Sequence, residues 1–367
     1  MKIDVFTLKR QYEGIKDEIR QAINRVLGSG AFIFGEEVRV FENSFAGYCG
    51  VKYGVGVNSG TDALFLSCLA SGIGEGDEVI TVSYTYIATV LAISMTGATP
   101  VFVDIDKKTC NLDISKIEKA ITNKTKAIIP VHLYGHPVDM DPLMKIAEKY
   151  GLSIIEDCAQ AHGALYKNKK VGSLGDISCF SFYPTKNLGA FGDAGMILTS
   201  SSKLYDRLLL LRDGGRRDRY EHVLKGYNSR LDTLQAAVLN VKLKYLDSWN
   251  ENRRNIAALY TDLFKKYKID AILPYEADYA RHVYHLYTVR LKNRKDIMKR
   301  LIEKGIRTLI HYPIPVHLQE AYIDLGYKKG DFIVTEQCCQ DIISLPMYPE
   351  LKDEEIRYIV ESIKEAE

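Results

Sequence analysis

Charge of one sign is what this 367-residue chain most plainly lacks: 49 Lys plus Arg stand against 47 Asp plus Glu. The formal net charge of +2 excludes a strongly basic nucleic-acid binder, and no Lys/Arg block marks a membrane-surface patch. Cysteines are few and scattered, at 49, 68, 110, 158, 179, 338 and 339. None forms C-x-x-C or a Cys/His zinc spacing, so no metal is expected, and the odd count argues against a disulfide framework. They read as small apolar residues in a reducing cytoplasm. Met1-Lys2-Ile3-Asp4 and the following Leu8-Lys9-Arg10 offer no apolar segment of signal-peptide type.

Long hydrophobic runs are missing too, with one apparent exception. Val79 to Val103 carries no charge and is long enough to span a bilayer. Serines and threonines interrupt it throughout, and Gly97 and Pro100 break it. It reads as strand Val79–Val82, helix Thr85–Met95 and strand Val101–Ile105, all inside a soluble core. A membrane span is rejected. Nucleotide signatures are equally scarce: there is no G-x-G-x-x-G, no P-loop, no H-E-x-x-H and no G-x-S-x-G. The Gly72, Gly74, Gly76 alternation runs into Asp77 and reads as a turn. Hydride transfer, phosphoryl transfer and serine hydrolysis all lose ground.

What is present is an alternation of short β-branched runs with helical periodicity up to about residue 200. The expected strands are Tyr53–Val57, Glu78–Val82, Pro100–Asp104, Ala127–Val131, Ser153–Glu156, Ile177–Phe182 and Met196–Thr199. Near-continuous apolar runs of this kind suit a mostly parallel sheet covered on both faces. From Leu231 a helical pattern runs toward Lys266 with a break expected near Trp249–Asn252. Strand His282–Leu291, helix Arg294–Lys304 and a charged helix from Leu351 then suggest a smaller α+β unit. The expected division is a large domain at 1–245 and a small one at 246–367.

Three local constellations carry chemistry. Val57-Asn58-Ser59-Gly60-Thr61-Asp62 ends a strand and opens a helix, whose free amides and small side chains suit a phosphate. An ordinary helix cap reads the same way. Ile154-Ile155-Glu156-Asp157-Cys158-Ala159-Gln160 is a buried strand ending in acids, where α/β proteins bind ligands; a surface acid capping the next helix is the plainer reading. Phe180 to Gly189, followed by Gly192-Asp193-Ala194-Gly195, holds Lys186 among apolar and glycine residues. Burial lowers a lysine's pKa and frees its amine to attack an aldehyde, whereas most lysines lie on solvated faces. Taken together the three match pyridoxal phosphate: an amine for its aldehyde, an acid for its ring nitrogen and a cup for its phosphate.

On these residues the chain resembles the DegT/DnrJ/EryC1/StrS sugar aminotransferases over essentially its whole length. Further matching segments are Gly30–Gly35, Gly76–Ile80, Tyr134-Gly135-His136-Pro137, Ser181–Lys186 and Asn228-Ser229-Arg230. The resemblance implies an α/β, aspartate-aminotransferase-like fold (fold type I), with a mostly parallel seven-stranded sheet plus a smaller α+β C-terminal domain. It implies pyridoxal 5'-phosphate as cofactor, with Lys186 binding the aldehyde and shuttling a proton. Asp157 would pair with the ring nitrogen, Gln160 would touch the phenolic oxygen, and Tyr86 would stack on the ring. Gly60, Thr61 and Ser181 would hold the phosphate, and Asn228 would reach it from a neighbouring subunit. A cytoplasmic homodimer with two shared sites follows.

A branch of the family that dehydrates sugars has histidine in place of the lysine, so Lys186 implies transamination. By resemblance the donor is L-glutamate and the acceptor a nucleotide-linked keto sugar. Tyr183-Pro184-Thr185-Lys186-Asn187-Leu188-Gly189 resembles enzymes aminating C3 of a dTDP-linked 3-keto-6-deoxyhexose, with the gluco epimer favoured over galacto. Ala194 stands where many relatives have glycine. A C4 aminotransferase and a non-catalytic, cofactor-binding regulator are the alternatives. Tyr183, Tyr220, Arg230, His311 and His317 are the candidate sugar and nucleotide contacts. The Arg212–Arg217 run is a diphosphate candidate or an exposed helix end.

Overall fold

The computed structural model describes residues 1–367. Seven strands form the central sheet: β1 (Tyr53–Val57), β2 (Glu78–Val82), β3 (Thr99–Val103), β4 (Thr125–Ile128), β5 (Ser153–Asp157), β6 (Ile177–Ser181) and β7 (Gly195–Thr199). All seven match expected strands to within three residues at each end, the largest offset being the strand expected at Ala127–Val131, which ends at Ile128. Their order is β1-β7-β6-β5-β4-β2-β3. β7 alone runs antiparallel to its neighbours, pairing Tyr53 with Thr199 on one side and Ser178 with Leu198 on the other. The rest is parallel, so helices cover both faces and buried residues run almost unbroken along each strand.

Packing on the two faces is distinct. One face buries Val55, Val57, Ile155, Ile177 and Ile197 against the Gly60–Ala70 helix. The opposite face packs Phe180, Met196 and Leu198 against Phe41 and Phe45 of the Glu36–Cys49 helix. A separate core of 23 residues draws on Ile3 and on positions from Ile256 to Ala366. It surrounds a three-stranded antiparallel sheet (Ala271–Ile272, Tyr287–Leu291, Ile342–Leu345) with the Leu246–Lys266, Arg294–Glu303 and Asp353–Ala366 helices.

Two expectations need correcting. The long helical pattern breaks at Lys244–Tyr245, not at Trp249–Asn252: helices occupy Thr233–Leu243 and Leu246–Lys266. No glycine or proline marks the place. Trp249 and Asn250 are buried inside the second helix, with Trp249 stacked on Tyr245 at 5.6 Å, so packing set the break. The expected strand His282–Leu291 is a strand only from Tyr287. Val283 and His285 instead donate their N–H groups to the carbonyls of Gly135 and Tyr134, at 3.1 and 2.8 Å. That docks the segment on the sheet's loops. The uncharged Val79–Val103 stretch is strand, helix (Ala88–Ser94) and strand, and no helix is long and apolar enough to cross a membrane.

Candidate active site

β1, β5 and β6 all end at one edge of the sheet, where β7 begins. Register places Val57 and Ser181 both opposite Gly195, and Asp157 opposite Cys179. The carboxyl edge of a parallel sheet is where ligands bind in α/β folds. A cavity of about 440 Å³ opens there.

Asp157 is the last residue of β5 and is buried. Its Oδ2 accepts a hydrogen bond from Thr89 Oγ1 at 2.8 Å, and its Oδ1 accepts from the Ala159 N–H at 3.1 Å. Burial raises its pKa, against the pull of Thr89, Ala159 and Lys186. Successive strand residues point to opposite faces, so Glu156 has a different fate. It is fully buried, 3.0 Å from His132 Nε2, and accepts from the N–H groups of Gly172, Leu174 and Gly175. Glu156 is structural, while Asp157 faces the cavity.

Lys186 lies in the loop after β6 and lines the same cavity. Its own N–H donates to the Tyr183 carbonyl at 2.9 Å. A Cβ on Gly189 would fall 2.3 Å from the Pro184 carbonyl oxygen, so this turn closes only with glycine. Burial pushes the Lys186 amine down to about 8, with Asp157 opposing. An amine in that range is part neutral near physiological pH, which is what a nucleophilic lysine requires.

The anion cup is built by close approach. Ser59 caps the Gly60–Ala70 helix, its Oγ accepting from the Asp62 N–H at 3.1 Å. A Cβ on Gly60 would lie 2.5 Å from Ser181 Cβ, and one on Gly195 would lie 2.2 Å from the Ser59 carbonyl oxygen. Helix amides, Thr61 and Ser181 therefore face the cavity together without intervening bulk. Gln160 is oriented by its amide: Oε1 accepts from the Tyr134 N–H at 2.7 Å and Nε2 donates to the Tyr312 hydroxyl at 3.0 Å. Tyr86 and Tyr183 line the cavity as half-exposed rings. His311 does too, with Nδ1 2.8 Å from Ser344 Oγ. Burial, and secondarily Lys186, bring its pKa to about 4, so its ring is neutral.

Other candidates lie elsewhere. His317 is 1% exposed, its ring nitrogens 2.6 Å from Ser83 Oγ and 3.2 Å from Glu336 Oε1. Its hydrogen bonds are used inside the fold, and it does not line the cavity. Tyr220 is 81% exposed. Arg230 donates to Asp213 Oδ1 at 3.0 Å, and Asn228 pairs with Asp213 through the backbone. None of these three lines the cavity within one chain. Arg212, from the basic run, is buried against Glu42 and the Gly56 carbonyl. Thr89, Tyr312 and His285 are among the cavity residues that the sequence reading did not assign to the site. The one signal for Thr89 was a hydroxyl recurring four residues after Thr85, within an uncharged run.

A reactive lysine, a buried acid and an anion cup at the carboxyl edge of this sheet define the class: an aspartate-aminotransferase-like, pyridoxal-phosphate enzyme. The residues fit that cofactor, because the glycine-cleared cradle and the orphan helix amides supply its anion site. The chain belongs to the DegT/DnrJ/EryC1/StrS aminotransferase family, whose model matches residues 13–364. It is 51% identical over 361 residues, 98% of each chain, to the dTDP-3-amino-3,6-dideoxy-alpha-D-galactopyranose transaminase of Aneurinibacillus thermoaerophilus. It is 46% identical to a "pleiotropic regulatory protein" of Geobacillus stearothermophilus, covering 100% of this chain and 98% of that one. The solved structure of DesV from S. venezuelae superimposes with a TM-score of 0.97 at 46% identity, covering 100% and 99% of the two chains. The protein is a transaminase, and its cofactor is pyridoxal 5'-phosphate, held in solved relatives in its aldehyde or amine form.

Proposed function

We propose that this nucleotide-sugar aminotransferase moves an amino group from L-glutamate to C3 of a dTDP-linked 3-keto-6-deoxyhexose. One observation carries the reading. The Tyr183-Pro184-Thr185-Lys186 approach lies at the cavity of a chain 51% identical, end to end, to a 3-amino sugar transaminase. That relative's product has the galacto configuration, so the galacto epimer stands beside the gluco one expected from the sequence. Product would serve a bacterial surface glycan, made in the cytoplasm. We further propose two domains, 1–245 and 246–367, and a homodimer in which Asn228, Tyr220 and Arg230 serve the partner's cavity.

The bound cofactor supplies an aldehyde and an electron-withdrawing ring. The chain supplies the rest. Lys186 offers a partly neutral amine, able to attack the aldehyde and then to take or return a proton at the donor carbon. Asp157, fixed by Thr89 and Ala159, presents a carboxylate that favours a protonated ring nitrogen. Gln160 has one amide hydrogen left after its bond to Tyr312, free for the phenolic oxygen. Tyr86 offers a ring face, and neutral His311 a hydrogen-bonding group for a sugar hydroxyl.

The test is glutamate-dependent amination of dTDP-3-keto-6-deoxyglucose and its galacto epimer, read by mass spectrometry and NMR. Amination at C3 is expected, and the product ratio assigns the epimer. Turnover of a 4-keto sugar alone would make this a C4 aminotransferase. Cofactor binding with no half-reaction from glutamate would favour the regulatory role named for the Geobacillus relative.

A further inference from the structure

His285 lines the cavity with Lys186, His311 and Tyr312 and is 4% exposed. Its backbone is held on both sides: the N–H donates to the Tyr134 carbonyl at 2.8 Å, and the C=O accepts from Arg253 Nη1 at 3.2 Å. The approach to Tyr134 depends on Gly135, where a Cβ would fall 2.8 Å from Val283 Cγ2. The ring is held too. Its Nδ1 lies 3.2 Å from Oδ1 of Asn187, the residue that follows Lys186.

A chain of buried amides decides which ring nitrogen carries the proton. Asn250 Nδ2 donates to the His162 carbonyl at 2.8 Å, which leaves Asn250 Oδ1 to accept from Asn187 Nδ2, also at 2.8 Å. Asn187 Nδ2 also donates to the Val283 carbonyl at 3.0 Å. Both amide hydrogens of Asn187 are thereby used, and its Oδ1 can only accept. His285 Nδ1 is therefore the donor, and Nε2 is the bare nitrogen. Asn187 and Asn250 are 2% and 6% exposed, so water does not compete for these bonds. His285 Nε2 makes no hydrogen bond within the chain and, unlike both ring nitrogens of His162, is not sealed from solvent. Burial and the cations Lys186 and Arg253 also hold the His285 pKa well below the usual histidine value, so the ring stays neutral.

An uncharged nitrogen that can only accept is selective among the groups the two substrates bring. Carboxylates and phosphates are acceptors as well and find no donor there. The amino donor's nitrogen is consumed at the cofactor. A keto sugar's hydroxyls remain, and each carries a hydrogen to give. We propose that His285 Nε2 accepts a hydrogen bond from a ring hydroxyl of the nucleotide-linked keto sugar, which makes His285 a specificity residue for the acceptor. This assignment rests on the nucleotide-sugar acceptor of the proposed function. The tautomer matters as much as the ring, because a protonated Nε2 would suit a carboxylate instead. Asn187 thus ties the turn that carries Lys186 to recognition of the sugar.

Nitrogen NMR of holoprotein carrying labelled histidine reads the tautomer directly. The His285 signal, identified by its loss in His285→Asn, is expected in the Nδ1–H form. Its Nε2 resonance should shift on adding dTDP-6-deoxyglucose, which has no keto group to react, and not on adding dTDP. Kinetics supply the second readout. His285→Asn keeps a donor for Asn187 but lacks the Nε2 lone pair, and should slow the sugar half-reaction roughly fivefold more than the glutamate half-reaction. His285→Gln, which returns an oxygen near the lost nitrogen, should recover part of that loss. Keto-sugar analogues lacking single ring hydroxyls locate the partner: one should react roughly fivefold more slowly with wild type, with no further loss in His285→Asn. An Nε2–H tautomer, equal slowing of both half-reactions, or additive losses with every deoxy analogue would overturn the proposal. The nitrogen signal is read on an unreactive sugar, so its outcome is independent of whether amination falls at C3 or C4.

Discussion

Lys186 and Asp157 feel the same burial with opposite consequences. Loss of water disfavours each charged form, so the lysine's pKa falls to about 8 and the acid's rises, while their mutual attraction resists both shifts. Only a neutral amine attacks an aldehyde, so the rate at which apoprotein turns yellow with pyridoxal phosphate should rise with pH around a midpoint near 8. Asp157→Asn removes the charge that favours protonation and should move that midpoint lower still. A midpoint near an ordinary lysine's value would place the reactive amine elsewhere, as would a borohydride adduct on any other residue. Thr89 extends the argument. Thr89→Val deprives Asp157 Oδ2 of its side-chain donor, which raises the acid's pKa further. Activity should then fall about fivefold, for roughly 1 kcal/mol of lost hydrogen bonding. The acid limb of its pH profile should also move upward, because the carboxylate is neutralised sooner as pH drops. An unshifted limb would reduce Thr89 to packing.

Strands and helices here work by what they let approach. The Gly60–Ala70 helix reaches β6 only because Gly60 has no Cβ to strike Ser181. Gly60→Ala should weaken cofactor binding by about tenfold or more, near 1.4 kcal/mol, with unchanged far-ultraviolet circular dichroism. Equilibrium titration of apoprotein measures it. β5 makes the complementary point through alternation, since Glu156 anchors the fold one residue before Asp157 serves the cavity. Burial pushes Glu156's pKa up, but His132 and the amides of Gly172 and Gly175 more than reverse this. An acid with a lowered folded pKa stabilises above its unfolded value and loses that contribution as pH falls through the folded one. Glu156→Gln should therefore cost about 2–4 kcal/mol near neutrality. The gap to wild type should narrow below the ordinary carboxylate value of 4.5, as denaturant unfolding across pH would show.

At the scale of the molecule, Asn228, Tyr220 and Arg230 stand off the cavity in one chain, although Asn228 and Arg230 matched the family's motif. A symmetric pair would reconcile the two observations, each protomer completing the other's site. Mixing Lys186→Ala protomers with Asn228→Ala protomers tests it. One site of each mixed dimer would hold both native residues, so a random equal mixture should recover about a quarter of wild-type activity. No recovery, with exchange of protomers demonstrated, would confine each site to one chain.

Contiguous stretches of sequence determined the seven strands, the capped helix after β1, the acid ending β5 and the lysine after β6. Each depends on neighbours along the chain, through side-chain alternation, helix-terminal amides or a glycine turn. Tertiary structure alone decided the rest. Thr89 reached Asp157 from 68 residues away, and Tyr312 reached Gln160 from 152. His317 turned inward, because Ser83 and Glu336 satisfy its ring better than a cavity would. The helix break at Lys244–Tyr245 and the loop at His282–Leu286 carry no breaker that the sequence displays. Both were set by which buried surfaces and hydrogen-bonding groups lay within reach once the two cores had packed together.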